Sequence, residues 1–173
     1  FELLMYSIYN QDILSGKVEY DDIALMSGVR DKAQDCILYN NNNVKVGLIQ
    51  CKHSENDTPL TVKTSVEEII KFLLYSIKEN DLLPNIDSYT YYFASSSGFN
   101  TDADSYLRTF SNKIKNEKNI EKWTQNVIRN YSTLGFVYDD IEDKLKEKLQ
   151  KLKVVVIIPN DIQNKLIEYE SLI

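Results

Sequence analysis

Residues 153–158, KVVVII, carry five consecutive β-branched apolar side chains after a single Lys. A strand with one wet face alternates apolar and polar side chains, because successive side chains point to opposite faces. A run with no alternation must be covered on both sides, which is the situation of a sheet strand between helical layers. This excludes a half-solvated β-meander. It predicts an α/β architecture in which KVVVII is buried on both faces.

The rest of the chain supplies the helices. Val66, Ile69, Ile70, Leu73, Leu74 and Ile77 recur at helical spacing within residues 65–79, and Ser65 with Glu68 has the spacing of a capping box. Residues 1–13 place Phe1, Leu4, Met5 and Ile8 on one helical face. Three further helices follow the aromatic strand SYTYYFA at 88–94. One is capped by Thr101 and carries Tyr106, Leu107, Phe110 and Ile114. The next carries Ile120, Trp123, Val127 and Tyr131. The third spans 138–151, acidic first and basic last, as the helix dipole prefers. A last helix runs from Pro159 to the end. Strands are expected at 17–26, 35–40 and 44–53, with a break at Ser27-Gly28. The predicted order is α-β-β-β-α-β-α-α-α-β-α, a mixed β-sheet flanked by helices on both faces.

With 173 residues, 5 Gly, 3 Pro and 43% hydrophobic residues, the chain has the size and apolar content of one domain, 1–173. It starts at Phe1, and a piece of a longer chain is the expectation. No apolar run approaches the roughly 20 residues of a membrane helix, so no membrane partner is expected. Cys36 and Cys51 lie in apolar strand-like runs. With one His they make neither a zinc set nor a disulfide framework, and a reducing, cytoplasmic compartment follows. The net charge of −6 excludes indiscriminate coating of nucleic acid. A local nucleic-acid site is compatible with it, because a bound divalent cation inverts the local sign.

Four consecutive Asn, 40–43, mark a hairpin turn, since Asn tolerates positive φ. With a two-residue turn at Asn42-Asn43, paired positions sum to 85. Asp35 then lies opposite Gln50, on the same face, and Lys52 follows on that face two residues later. A one-residue slip would break the grouping. Asp35 offers a hard oxygen to Mg²⁺, with the Gln50 amide oxygen and the Cys51 carbonyl as further ligands. Lys52 is a cation able to orient a water. Such a set suits metal-assisted phosphodiester hydrolysis. Both Asp35 and Lys52 are expected near the rim of the sheet. Glu19, Asp21 and Asp22 are rival acids in VEYDDIAL, ranked below Asp35. His53, and the small-residue loop 95–100 before a helix, are secondary candidates for phosphate contact.

These residues carry a resemblance. A helix opening Phe1-Glu2, an Asp35 that opens a strand, a hairpin, and an apolar strand ending Ile49-Gln50-Cys51-Lys52 resemble the PD-(D/E)xK nuclease superfamily. The variant is the QxK form of Mrr-type restriction endonucleases and of nuclease effector domains in bacterial anti-phage systems. The resemblance covers about the first third of the chain at motif level, and Gln34 stands where the family has Pro. It implies a restriction-endonuclease-like fold and a Mg²⁺-dependent endonuclease cutting double-stranded DNA, with Mn²⁺ able to substitute. Glu2 and Asp35 would be metal ligands, Gln50 a ligand or ligand-orienting group, and Lys52 the catalytic lysine. It further implies an effector module served by other domains of the same chain and by homo-oligomerisation. The alternative is a nuclease-fold module without catalysis that binds nucleic acid or a protein partner. Gln50 in place of an acid, and an Arg complement of only Arg30, Arg108 and Arg129, keep that alternative open, second to the nuclease reading.

Overall fold

The computed structural model describes residues 1–26, 32–54 and 56–170. The break expected at Ser27-Gly28 and the final residues 171–173 lie outside them. Five strands form one sheet in sequential order: β1 (Asp22–Leu25), β2 (Cys36–Tyr39), β3 (Lys45–Lys52), β4 (Thr90–Ser95) and β5 (Lys153–Ile157). β1, β2 and β3 are antiparallel neighbours, whereas β4 and β5 run parallel to β3. Helix α1 (Glu2–Leu14) precedes the sheet and α2 (Val62–Lys78) makes the β3–β4 crossover. Four helices join β4 to β5: α3 (Thr101–Arg108), α4 (Phe110–Ile114), α5 (Ile120–Asn130) and α6 (Tyr138–Lys151). Helix α7 (Pro159–Glu170) follows β5.

The two faces of the sheet build two cores. Leu48, Tyr91 and Phe93 pack with Val66, Ile69, Ile70 and Leu73 of α2 and with side chains of α5 and α6. Cys36, Leu38, Ile49, Cys51 and Ala94 pack with Met5 and Ile8 of α1 and Ile162 of α7. Six α2 side chains, Val66, Ile69, Ile70, Phe72, Leu73 and Leu74, are fully buried, so this helix fixes the first layer. Truncating any one of the Leu or Ile residues among them to Ala would cost about 2–5 kcal/mol. Gly47 lets β3 and β4 approach: a Cβ there would lie 2.7 Å from the Thr90 carbonyl oxygen.

Several elements depart from the sequence expectation. The apolar strand β5 lies at one edge of the sheet, and Val154 and Val155 are only half-buried. Its apolar content reflects helices packed on both sides, α7 on one and α3 and α4 on the other, and not a central place. The expected helix around Tyr106–Ile114 is two helices, divided at Thr109, whose φ of −119° and ψ of 31° leave the helical region. Thr109 Oγ1 donates to the Ser105 carbonyl there, a local bond of the kind that competes with helix continuation. The cap of α3 is Asn100, whose side chain accepts from Ala103 N–H at 2.8 Å, and Thr101 is the first helical residue. The cap of α2 is Thr61, so Ser65 and Glu68 lie within the helix and form no capping box. The first strand is short, because residues 17–21 are irregular and pairing begins at Asp22.

Candidate functional site

The hairpin brings Asp35 opposite Gln50 by a route other than the expected one. Asn40 N–H donates to the Val44 carbonyl at 3.0 Å and Asn43 N–H to the Asn40 carbonyl at 2.9 Å. The loop is therefore three residues, with Asn43 in the left-handed region at φ 58°. The Asn40 side-chain oxygen accepts from the amides of Asn42 and Val44, which locks the turn. This shifts the register by one residue, and Tyr39 pairs with Lys45. A β-bulge then removes the shift, since the next pair is Leu38 with Gly47. From there inward the pairs are Ile37 with Leu48 and Cys36 with Ile49. Asp35 falls opposite Gln50, as the two-residue turn predicts.

The contacts agree. Gln50 Nε2 donates to Asp35 Oδ2 at 2.8 Å, and the Cys51 backbone N–H donates to the same oxygen at 2.5 Å. The Cys51 carbonyl oxygen is 3.5 Å from Gln50 Nε2. Asp35 and Gln50 are 5% and 3% exposed, so the carboxylate and amide face each other inside the protein. Asp35 stands at the strand end where a rim position was expected, but its side chain is buried rather than solvated. Gln50 Oε1, the oxygen the sequence reading makes a ligand, is buried and has no hydrogen-bond partner. A buried polar atom without a partner costs on the order of 1–3 kcal/mol.

Lys52 lies on the same face as Gln50, two residues further, at the end of β3 and beside Ser95 of β4. Its ammonium is 2.9 Å from Glu68 Oε2 on α2. The Glu68 side chain is 16% exposed and that of Lys52 29%. Tyr91, on β4, is fully buried with an unpartnered hydroxyl. Burial pushes that phenol well above its usual range, and the nearby charges of Glu68 and Asp35 push it further. The sequence reading missed Glu68 by assigning it to a helix cap. The available signal was a carboxylate between Val66 and Ile69 on the buried stripe of α2.

Glu2 reaches the same end of the sheet on the other side. It is exposed on α1, the helix whose Met5 and Ile8 pack against the face of Cys36 and Cys51. Its charge is felt by both thiols. Burial first, then Asp35 and Glu2, push the Cys36 thiol up to about 12. Burial first, then Asp35 among other neighbours, pushes Cys51 higher still. Both cysteines are free and buried, as small apolar side chains.

The rival acids sit elsewhere. Asp22 pairs with Tyr39, four residues along β2 from Asp35 and hence roughly 13 Å away at the rise of a strand. Its side chain accepts from the Ile23 amide. His53 is exposed, and its Nδ1 lies 2.9 Å from Ser96 Oγ, so the two secondary candidates adjoin each other beyond Lys52. Ser95 Oγ donates to the Gly98 carbonyl, which orders that loop.

The arrangement offers two carboxylates, a buried amide oxygen, a backbone carbonyl and one ammonium at the C-terminal ends of β3 and β4. Open α/β sheets bind ligands at such ends. Among the described residues no group of three or more His, Cys, Asp or Glu is gathered as a metal cluster. The set expected from the sequence has few such members, since it draws on an amide and a carbonyl. No helix among the described residues is long and apolar enough to cross a membrane. No family model, curated protein or solved structure matches the chain.

Proposed function

We propose that the chain is a divalent-cation-dependent phosphodiester hydrolase with a restriction-endonuclease-like core, acting on double-stranded DNA. The observation that carries this reading is the buried Asp35–Gln50 pair, with Lys52 two residues beyond it on one face. The element order supports it: a helix, three antiparallel strands, a crossover helix and a parallel strand, with the catalytic candidates at the shared end of β2, β3 and β4.

The donor set fits Mg²⁺ or Mn²⁺, which take oxygen ligands. Asp35 supplies a carboxylate, Gln50 an amide oxygen that lacks any other partner, and the Cys51 carbonyl lies beside them. Glu2, at the same end of the sheet, is the remaining acidic candidate. When bound, the cation supplies charge stabilisation to a phosphoryl oxygen and lowers the pKa of water. The chain's own residues do the rest. Asp35 is held in place by the Cys51 amide and the Gln50 side chain. The Lys52 ammonium orients a water and offsets negative charge at phosphorus. With a net charge of −6, the domain binds DNA weakly alone, and clustering through neighbouring domains or copies raises its effective concentration on a duplex.

A second reading has its own observation. The Gln50 amide turns its NH₂ towards Asp35, and Lys52 is engaged by Glu68, an arrangement that also satisfies a module which binds nucleic acid or protein without cutting. Plasmid cleavage separates the two. Wild-type chain with Mg²⁺ should nick supercoiled DNA, and Lys52→Ala and Asp35→Asn should not. A Lys52→Ala protein that cuts at the wild-type rate, or a wild-type protein inert even when fused to an oligomer, would overturn the hydrolase reading.

A further inference from the structure

The Lys52–Glu68 ion pair carries an inference that rests on the hydrolase reading and deepens it. Asp35 and Lys52 bring one negative and one positive charge to this face, and Glu2, the other acid at this end, belongs to α1 on the opposite side of the sheet. Gln50 adds an oxygen but no charge. Glu68 reaches the same face of the sheet from α2, and its Oε2 lies 2.9 Å from Lys52 Nζ. That oxygen is buried, and it meets the ammonium in a contact of ion-pair distance rather than hydrogen-bond geometry. Two other buried polar atoms on this face have no hydrogen-bond partner: Gln50 Oε1, on a side chain 3% exposed, and the hydroxyl of Tyr91, 0% exposed. Tyr91 senses the charges of both Glu68 and Asp35. Buried polar atoms are nearly always paired, and of the several unpartnered ones among the described residues these two share a face with the Lys52–Glu68 pair, where a bound cation would give Gln50 Oε1 a partner.

The anchoring of Glu68 favours a fixed role over a chance surface contact. It is carried by α2, between the buried side chains Val66 and Ile69. The turn it occupies is preceded by a formed cap, Thr61 accepting from Thr64 N–H. An ordinary exposed ion pair has neither a buried carboxylate nor a rigid support, and contributes little.

We propose that Glu68 is a positioning residue of this site: its carboxylate holds the Lys52 ammonium beside the Asp35–Gln50 pair and supplies the second negative charge that a divalent cation there requires.

The test is a Mn²⁺ titration followed by the EPR signal of the free ion, with kcat and KM for plasmid nicking measured in parallel. The proteins are wild type, Asp35→Asn, Glu68→Gln and Glu68→Asp. Glu68→Gln keeps the shape and removes the charge. It should weaken Mn²⁺ binding about tenfold, as loss of one of two carboxylates near a divalent ion does. It should lower kcat by at least about tenfold with KM for DNA unchanged, because ammonium placement and not DNA affinity is lost. Glu68→Asp should restore Mn²⁺ affinity to near wild type while kcat stays low, since the charge remains and the reach to Lys52 is shortened. Glu68→Gln with wild-type Mn²⁺ affinity and kcat, alongside an Asp35→Asn protein that has lost both, would overturn the role of Glu68 and leave the hydrolase reading intact. Equal Mn²⁺ binding by wild type and Asp35→Asn would remove the site itself, and the role of Glu68 with it.

Discussion

Two aspartates of this molecule are buried to nearly the same extent, Asp12 at 3% and Asp35 at 5% exposure, and their surroundings differ in kind. Asp12, on α1, directs Oδ1 to the ammonium of Lys165 at 2.6 Å and to the hydroxyl of Tyr169, both on α7. A buried carboxylate is matched there by a cation and a hydroxyl, and the result ties two helices on one face of the sheet. Asp35 directs Oδ2 to an amide side chain and a backbone N–H. The amide that serves it ends in an oxygen with no partner, and an unpartnered phenol lies close by. The first cluster pairs its atoms within the chain, whereas beside Asp35 the Gln50 side-chain oxygen and the Tyr91 hydroxyl have no hydrogen-bond partner. Burial of a carboxylate alone does not mark a functional site, and the proposal rests on what the neighbours of Asp35 leave unsatisfied.

The comparison can be broken by truncating each aspartate. Asp35→Ala should have the larger effect on stability. It strands the Gln50 NH₂ and the Cys51 N–H, and Gln50 cannot reach water. A loss of about 2–4 kcal/mol is expected, from two buried donors at 1–2 kcal/mol each. Urea denaturation would measure it, and a loss below about 0.5 kcal/mol would return Asp35 to the solvated rim. The same variant should lose cleavage entirely.

Asp12→Ala should cost less, about 1–2 kcal/mol, although its partner is a cation. The Lys165 side chain is 37% exposed and can turn to solvent when the carboxylate is removed. Cleavage per folded molecule should be unchanged. Loss of cleavage in folded Asp12→Ala protein, with stability intact, would show that the closed cluster is functional and that unsatisfied neighbours are a poor guide.

Much of this was legible in the sequence, for reasons that the same comparison makes plain. The Asn run fixed where the chain reverses, and the side-chain period of two then placed Asp35, Gln50 and Lys52 on one face. That placement survived two errors of one residue, a longer turn and a bulge at Val46, which cancel. Neither is visible locally. The left-handed Asn43 is an option that four successive Asn residues offer equally, and the bulge depends on how β2 and β3 twist together. Glu68 was only partly legible: a carboxylate between Val66 and Ile69 on a buried stripe was the signal, but the spacing from Ser65 also fits a cap, and the packing of α2 over β3 tells the two apart. The edge position of β5 was missed for a similar reason. An apolar run records coverage of its two faces and says nothing of a missing neighbour strand. Asp12 was missed altogether, since its partners lie 153 and 157 residues away in sequence.

The central claim is that the Asp35 end of the sheet, and not the Asp12 cluster, is built to receive a divalent cation. Crystals of the chain soaked in Mn²⁺, with the ion located by its anomalous scattering, test it most directly. The account predicts a peak in direct contact with an Asp35 carboxylate oxygen and with Gln50 Oε1, the Gln50 amide having turned over to present that oxygen, and no peak at Asp12. Anomalous peaks confined to exposed carboxylates, with the Gln50 NH₂ still bonded to Asp35, would contradict it.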